Sequence, residues 1–297
     1  MTSLKIAVGQ LCSSSNLSQN LRVVKKLLQK AQSSGSKILF LPEATDYISR
    51  NANHSIDLSR QVQDQFLSPL LSHIKSSNGS TYVSIGVHLP GENKVKNLHF
   101  LIDPKGEIVS QYQKVHLFDV DVPNGPILKE SNSVEPGNRI EEPVLINGFK
   151  VGLGICYDIR FPELAIRLRK DGADIITFPS AFTTKTGEAH WELLSKARAV
   201  DTQTFVINAA QCGQHDVGSD PDNKDKVITR VSYGDSIVVD PWGKILARGK
   251  KYTDTLEKDA DGDYLELITA ELDKDGLSTI RQNMPLLDHR RPDVYRD

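Results

Sequence analysis

Twice in this chain a β-prone apolar run is followed by a helical pattern and a second apolar run, and that order leaves little choice of fold. Leu4–Leu11 reads as a strand. Leu21, Val24, Leu28 and Ala31 then fall at helical spacing behind a cap at Ser15 or Asn16, with Gly35 beyond the helix end. Lys37–Leu41 is a second strand, so the unit is a parallel crossover. The second half repeats it, with strands at Phe149–Ile155, Asp174–Phe178 and Thr204–Ala210 and helices at Pro162–Lys170 and Gly187–Thr202. Between the halves the pattern predicts a helix from Ile56 to about Lys75 and strands at Tyr82–Leu89, Leu98–Asp103 and Glu107–Lys114. Asp103-Pro104-Lys105-Gly106 is a type I turn signal, and Asp240-Pro241-Trp242-Gly243 is the same device between β-prone runs. One hairpin used twice points to a pseudo-symmetric sandwich. Gln214–Lys226 and Lys250–Gly262 are polar and read as exposed, mobile loops. Tyr264–Leu272 is a late strand, Asp273 caps a short helix, and the charged tail Met284–Asp297 packs across a surface or a partner. No linker divides the chain, so the expectation is one α/β domain over residues 1–297.

Composition removes several classes of function. The 36 basic and 38 acidic residues give a net charge of −2, without the basic excess that nucleic-acid binding requires. The densest basic cluster, Arg167–Lys170, reads as a solvated helix face. Three cysteines, an odd number without a C-x-x-C pair, point to a reducing compartment rather than a disulfide framework. No apolar run approaches the roughly 20 residues of a membrane span, and the N-terminus runs straight into a strand pattern. A soluble, cytoplasmic protein is expected, with no membrane partner. The eight histidines show no metal spacing, so no metal is expected. Without a G-x-S-x-G motif, His190 and Trp191 read as packing around a helix start rather than as a serine hydrolase base.

Three strand ends carry reactive side chains. Glu43 follows Lys37–Leu41, Lys114 ends Glu107–Gln113, and Cys156 follows Phe149–Ile155. In an α/β sheet such ends converge on one edge. Cys156 stands between an apolar strand and Pro162-Glu163, residues suited to a first helical turn. This predicts a thiol presented at the sheet edge, its thiolate favoured by backbone N–H groups and a helix N-terminus. A carboxylate, an ammonium and a thiol together suffice for acyl transfer. Glu43 moves protons, Cys156 attacks a carbonyl or nitrile carbon, and Lys114 with a backbone N–H just after Cys156 holds the oxyanion. Taken singly, each has a structural reading: a turn carboxylate, a solvated lysine, a packed cysteine. That reading stands for Cys12 and Cys212.

The words around these residues resemble the nitrilase superfamily of carbon–nitrogen hydrolases. They are Leu41-Pro42-Glu43, Tyr112–Phe118, Gly154–Glu163, Phe178–Phe182, Thr186–Trp191, Arg198–Asp201 and Asp240–Gly243, seven stretches in the family's order over nearly the whole chain. The resemblance implies a four-layer α-β-β-α sandwich that dimerises by burying one helical face, and a cofactor-free Glu–Lys–Cys site at Glu43, Lys114 and Cys156. A second glutamate is implied at Glu130. His116–Pro126 resembles the Nit amidase branch, in particular its fungal members acting on deaminated glutathione. That implies release of 2-oxoglutarate from deaminated glutathione, or alternatively ω-amidase action on α-ketoglutaramate. Either substrate is a small amide with a carboxylate. Arg160, four residues past the thiol, can pair bidentately with that carboxylate or form a structural ion pair. Tyr157, Phe118, Phe182 and Thr183 are the further candidates for the substrate pocket.

Overall fold

The computed structural model describes residues 2–121, 127–219 and 228–295. In chain order the first half holds β1 (Ser3–Leu11), α1 (Leu17–Ser33), β2 (Ile38–Phe40), α2 (Ala52–Val62), α3 (Ser68–Ser76), β3 (Tyr82–Pro90), β4 (Val95–Ile102) and β5 (Ile108–Gln113). Short strands β6 (Asp119–Asp121), β7 (Ile127–Lys129) and β8 (Val134–Glu135) follow. The second half holds β9 (Val144–Ile146), β10 (Phe149–Leu153), α4 (Pro162–Lys170), β11 (Ile175–Thr177), α5 (Thr184–Thr202) and β12 (Phe205–Asn208). It continues through β13 (Cys212–Gln214), β14 (Val231–Tyr233), β15 (Ile237–Val239), β16 (Ile245–Arg248), β17 (Leu265–Asp273) and α6 (Lys274–Asn283).

One sheet runs β17-β1-β2-β3-β4-β5, with β8 on β4, and the other runs β9-β10-β11-β12-β15-β16. Read this way, both sheets show the same sequence of directions: antiparallel, parallel, parallel, antiparallel, antiparallel. The hairpin device recurs in detail. Gly106 N–H donates to Asp103 O at 3.0 Å and Gly243 N–H to Asp240 O at 2.9 Å. Each aspartate's Oδ1 accepts from the backbone two and four residues on. Both glycines have positive φ, +78° and +86°, which the turn demands and a Cβ would oppose. Both hairpins carry a bulge at the matching place, Leu101/Ile102 and Val238/Val239.

Side-chain alternation builds the layers. Ile6, Val8, Ile38 and Phe40 share a core with Val151, Leu153, Ile175 and Val206 of the other sheet. Ala7, Leu39, Val83 and Ile85 point the other way, onto Leu21, Val24 and Leu28 of α1 and Leu70 of α3. The second sheet's outer face is covered by α4 and α5 through Leu164, Leu168 and Trp191. This is the four-layer α-β-β-α arrangement. With both faces covered, the central strands are apolar throughout, which is why they read as continuous runs.

The expected helix from Ile56 to Lys75 instead starts at Ala52, because Asn51 caps it by accepting from His54 N–H at 2.9 Å. It is interrupted by a π-helical turn at Gln63–Leu67. Pro69, at the start of α3, has no N–H to return to the preceding turn, so the helix widens there. Helix α5 begins three residues before the expected Gly187, behind Thr183, whose hydroxyl accepts from Thr186 N–H at 3.3 Å. No helix is long and apolar enough to cross a membrane among the described residues.

Candidate active site

Glu43, Lys114, Glu130 and Cys156 line one cavity of about 710 Å³. Glu43 lies just beyond β2 in a turn fixed from several sides. Pro42 O accepts from Gly86 N–H at 3.0 Å and from the Thr45 hydroxyl at 2.7 Å. Gln211 Nε2 donates to the carbonyls of Glu43 and Ala44. A Cβ at Gly86 would stand 2.5 Å from Glu43 Cα, so this close approach requires glycine. Lys114 follows β5, with its N–H on Asn97 O at 3.0 Å and its carbonyl accepting from Gly137. Glu130 opens a 3₁₀ turn after β7.

Cys156 sits between the two sheets' edges with φ of +46°, and Ala44, beside Glu43, has φ of +55°. Both are left-handed residues with a Cβ, a conformation costing on the order of 1–3 kcal/mol that surrounding bonds must hold. Around Cys156 those bonds are plain. Its N–H donates to Pro179 O at 3.0 Å. The fully buried Asp158 carboxylate accepts from Ile155 N–H at 2.9 Å. A Cβ on Gly154 would meet the Phe178 ring at 2.7 Å. His99 Nδ1 takes the Gly154 carbonyl at 2.9 Å. Tyr157 N–H is thereby left without a backbone acceptor among the described residues.

The charges interlock. Lys114 Nζ lies 2.9 Å from Glu43 Oε1 and 3.0 and 2.9 Å from the two Glu130 oxygens. Asn97 Nδ2 bridges the same carboxylates, at 2.8 Å to Glu43 and 3.2 Å to Glu130. Glu43 Oε2 accepts from Ala181 N–H at 3.0 Å, and Glu130 Oε2 from Phe118 N–H at 2.7 Å. Burial opposes charge on Glu43, but Lys114, the Cys156 thiol and Asn97 outweigh it and hold the carboxyl below its ordinary range. Burial likewise opposes charge on Lys114, and the carboxylates of Glu130 and Glu43 hold its ammonium well above the usual value.

Cys156 corrects the expectation of a stabilised thiolate presented at an edge. The residue is only 8% exposed, and α4 starts six residues on, after a 3₁₀ turn at Cys156–Arg160. Burial first, and the Glu43 charge second, push the thiol well above its ordinary value, against the pull of Lys114 and the Ala181 N–H. At rest the site therefore holds a thiol beside the Glu43 carboxylate.

Phe118, Tyr157, Phe182 and Thr183 line the cavity. Arg160 lies outside that wall. Its guanidinium reaches His190 Nδ1 at 3.2 Å and stands 5.8 Å from the ring centres of Tyr157 and Phe182, with no ion pair to an acid among the described residues. Trp191 is buried against Phe182 and donates to Asp235 O. Cys12 and Cys212 are pushed up to about 12, chiefly by burial, as packing residues are. Residues 122–126 of the His116–Pro126 stretch and 220–226 of the polar loop lie outside the described residues.

Sequence reasoning missed Asn97, Asp158 and the pair Asp46–His88. Asp158 joins the two halves of the site: Tyr112 OH donates to it at 2.8 Å, His116 N–H at 3.1 Å, and His116 Nδ1 lies 2.7 Å away. No local pattern marks Asp158 or Asn97, because the side chains and backbone groups that meet them across the site come from distant parts of the chain.

The family model described as carbon-nitrogen hydrolase matches residues 5–282. The chain is 43% identical over 294 residues to "Probable hydrolase nit2" of Schizosaccharomyces pombe, covering 97% of this chain and 98% of that protein. It is 40% identical over 295 residues to the deaminated glutathione amidase of Mus musculus, covering 98% of this chain and 84% of the relative. The C. elegans NitFhit crystal structure superimposes with a TM-score of 0.85 at 35% identity, over 99% of this chain and 66% of that one.

Proposed function

The chain belongs to the carbon–nitrogen hydrolase family, and from that premise we propose an amidase that cleaves deaminated glutathione into 2-oxoglutarate and cysteinylglycine. The observation that carries this reading is one buried ammonium held between two carboxylates in the same cavity as a buried thiol. The substrate half rests on the named activity of the mouse relative. A cavity of about 710 Å³ also has room for an acyl group and a dipeptide amine together.

Glu43 takes the proton of the Cys156 thiol, and sulfur attacks the amide carbon. The carbonyl electrons move to oxygen, held by Lys114 Nζ and the unengaged Tyr157 N–H. Glu43 gives its proton to the amide nitrogen, the C–N bond breaks, and cysteinylglycine leaves as an amine. A water then enters, loses its proton to Glu43 and attacks the thioester. The intermediate expels the sulfur, which recovers its proton from Glu43, and 2-oxoglutarate is released. Glu130 and Asn97 fix the lysine and the base without exchanging protons. The oxo-acid end lies against Tyr157, Phe182 and Thr183, with the Arg160 cation behind the two rings and Phe118 closing the opposite side. We assign the enzyme to the cytoplasm and to a homodimer joined through the α5 face, where Leu193, Val200 and Trp242 are exposed.

The test is 2-oxoglutarate release by the purified protein from deaminated glutathione and from α-ketoglutaramate, with Cys156→Ala as the blank. The expected result is a kcat/KM preference for deaminated glutathione and no turnover by the variant. A preference for α-ketoglutaramate makes the enzyme an ω-amidase. Wild-type rates in the variant remove Cys156 from the mechanism.

A further inference from the structure

Three histidines are buried in the protein interior near the site, and one of them is bonded differently. His99 uses both ring nitrogens, on Ser84 Oγ at 2.7 Å and Gly154 O at 2.9 Å. His215 does the same with Ser13 O and Ser232 Oγ, both at 2.8 Å. Burial pushes both down to about 4, so they are neutral packing residues. His88, on β3, is 8% exposed and lines the active-site cavity. Its Nδ1 stands 3.0 Å from Asp46 Oδ1, and its own N–H donates to Asp46 Oδ2 at 2.7 Å. Asp46 is fully buried, and Oδ1 also accepts from Tyr47 N–H. The Tyr47 ring, 4.7 Å away, fixes the imidazole from one side. Nε2 has no protein partner among the described residues, yet it is not among the buried unpartnered side-chain atoms, so it keeps an opening, and the opening is the cavity. Burial opposes charge on this ring, but Asp46, then Glu43 and Glu130, outweigh it and hold His88 above its usual value. With Nδ1–H committed to Asp46, a charged ring offers Nε2–H to whatever fills the cavity.

The side of the cavity is fixed by chemistry. Glu43 delivers the proton to the departing nitrogen, so the amine half of the substrate lies on the Glu43 side. His88 belongs to that side: β3 is the neighbour of β2, which leads into Glu43, and Asp46 follows Glu43 by three residues. Lys129 and Arg230 line the same cavity. The carboxylates of Glu43 and Glu130 repel an anionic amine, and an Nε2–H donor on a ring whose charged form Asp46 favours offsets that repulsion. We propose that His88, braced by Asp46, is an anion subsite for the carboxylate of the leaving amine, and that it selects amides of anionic peptides over primary amides. This rests on the substrate reading above and extends it to the amine half.

Deaminated glutathione and α-ketoglutaramate share their acyl half and differ only in the amine half, so their ratio isolates the subsite. The experiment measures kcat/KM for both substrates, and for deaminated glutathione with its glycine carboxylate amidated, in wild type, His88→Ala and His88→Gln. A hydrogen bond to a charged group predicts that His88→Ala lowers the deaminated glutathione to α-ketoglutaramate ratio by roughly 10- to 100-fold, mainly through KM. Amidation of the glycine costs the wild type a similar factor and costs His88→Ala little. His88→Gln, which keeps a donor without the charge, falls between. Equal losses on both substrates, or an amidated substrate used as well as the acid, overturn the proposal. A wild type inactive on both substrates instead sinks the substrate reading, and the subsite with it; thermal denaturation of the variants separates either result from misfolding.

Discussion

Replacing Asp158 by asparagine tests whether the proposed nucleophile Cys156 and the proposed oxyanion lysine Lys114 are positioned by one buried carboxylate. The side chain is fully buried and accepts from Ile155 N–H, Tyr112 OH, His116 N–H and His116 Nδ1 at 2.7–3.1 Å. Asparagine has one acceptor oxygen. If that oxygen stays with His116, its NH₂ faces Ile155 N–H, donor against donor, while the Tyr112 hydroxyl can rotate to accept. One stranded buried N–H costs roughly 1–3 kcal/mol, and the remaining bonds lose their charge assistance, so about 3 kcal/mol of stability is expected to go. That leaves a typical domain of about 5–15 kcal/mol folded. Catalysis suffers more than folding. Ile155 leads into the positive-φ Cys156, and Tyr112 and His116 flank Lys114, so relaxation at Asp158 moves the thiol and the ammonium relative to each other. A shift near 1 Å costs about 100-fold in rate. The assay pairs urea denaturation with kcat and KM for deaminated glutathione. Asp158→Asn should lose kcat by about 100-fold with KM little changed, and Asp158→Glu, one methylene too long for the pocket, should not recover it. Wild-type kcat in Asp158→Asn, or a loss confined to KM, refutes the reasoning.

The same geometry makes further predictions. Glu43 is held below its ordinary value of 4.5, so its ionised form is favoured by folding. Its stabilising contribution is present above the unfolded value and is lost as pH falls through the folded one. The kcat/KM profile should therefore keep its acid limb below pH 4.5; a limb centred above pH 6 contradicts the assignment of Glu43 as the base. Because Cys156 rests as a thiol well above 9.0, its alkylation by iodoacetamide, followed by mass spectrometry at that residue, should accelerate about tenfold per pH unit through pH 8. A plateau below pH 8 means a resting thiolate. Gly154→Ala puts a methyl group 2.7 Å from the Phe178 ring, an overpacking worth about 1–3 kcal/mol in denaturation midpoints; an unchanged midpoint shows that the ring can yield.

The strand–helix–strand order, the repeated Asp-Pro-x-Gly hairpin and the strand-end positions of Glu43, Lys114 and Cys156 were legible because they are local. Period, turn chemistry and strand ends are written within ten residues of one another. The π-helical turn was hidden because Pro69 alone does not say whether a helix ends or widens. The early start of α5 was hidden behind a run of threonines in which any hydroxyl could cap. Asp158 and Asn97 were illegible for a different reason. Apart from Ile155, the partners of these side chains lie 33 to 54 positions away, and their meaning exists only once two sheets meet. Asp46–His88 carried no motif, and its sense comes from contrast with His99 and His215.

The resting state of Cys156 shows why a strand-end motif does not fix the protonation of a thiol. A strand-to-helix junction stabilises a thiolate when the sulfur faces backbone N–H groups in partial solvent. Here the sulfur lies buried in the cavity wall, beside a carboxylate that already holds the nearest ammonium. Ionising Cys156 at rest would put a third anion beside Glu43 and Glu130 with one lysine among them. The arrangement avoids that by keeping the proton on sulfur until a carbonyl is present to take the charge. In the cycle proposed above, as sulfur bonds to carbon the negative charge passes to the oxygen, within reach of Lys114 and Tyr157 N–H, and the proton comes to rest on Glu43. The lysine, held well above its usual value by two carboxylates, needs no reorganisation to receive the new charge. The cost of burying three charges is met in folding by the bonds from Asn97, Ala181 and Phe118, which leaves the site's electrostatics set before the substrate arrives.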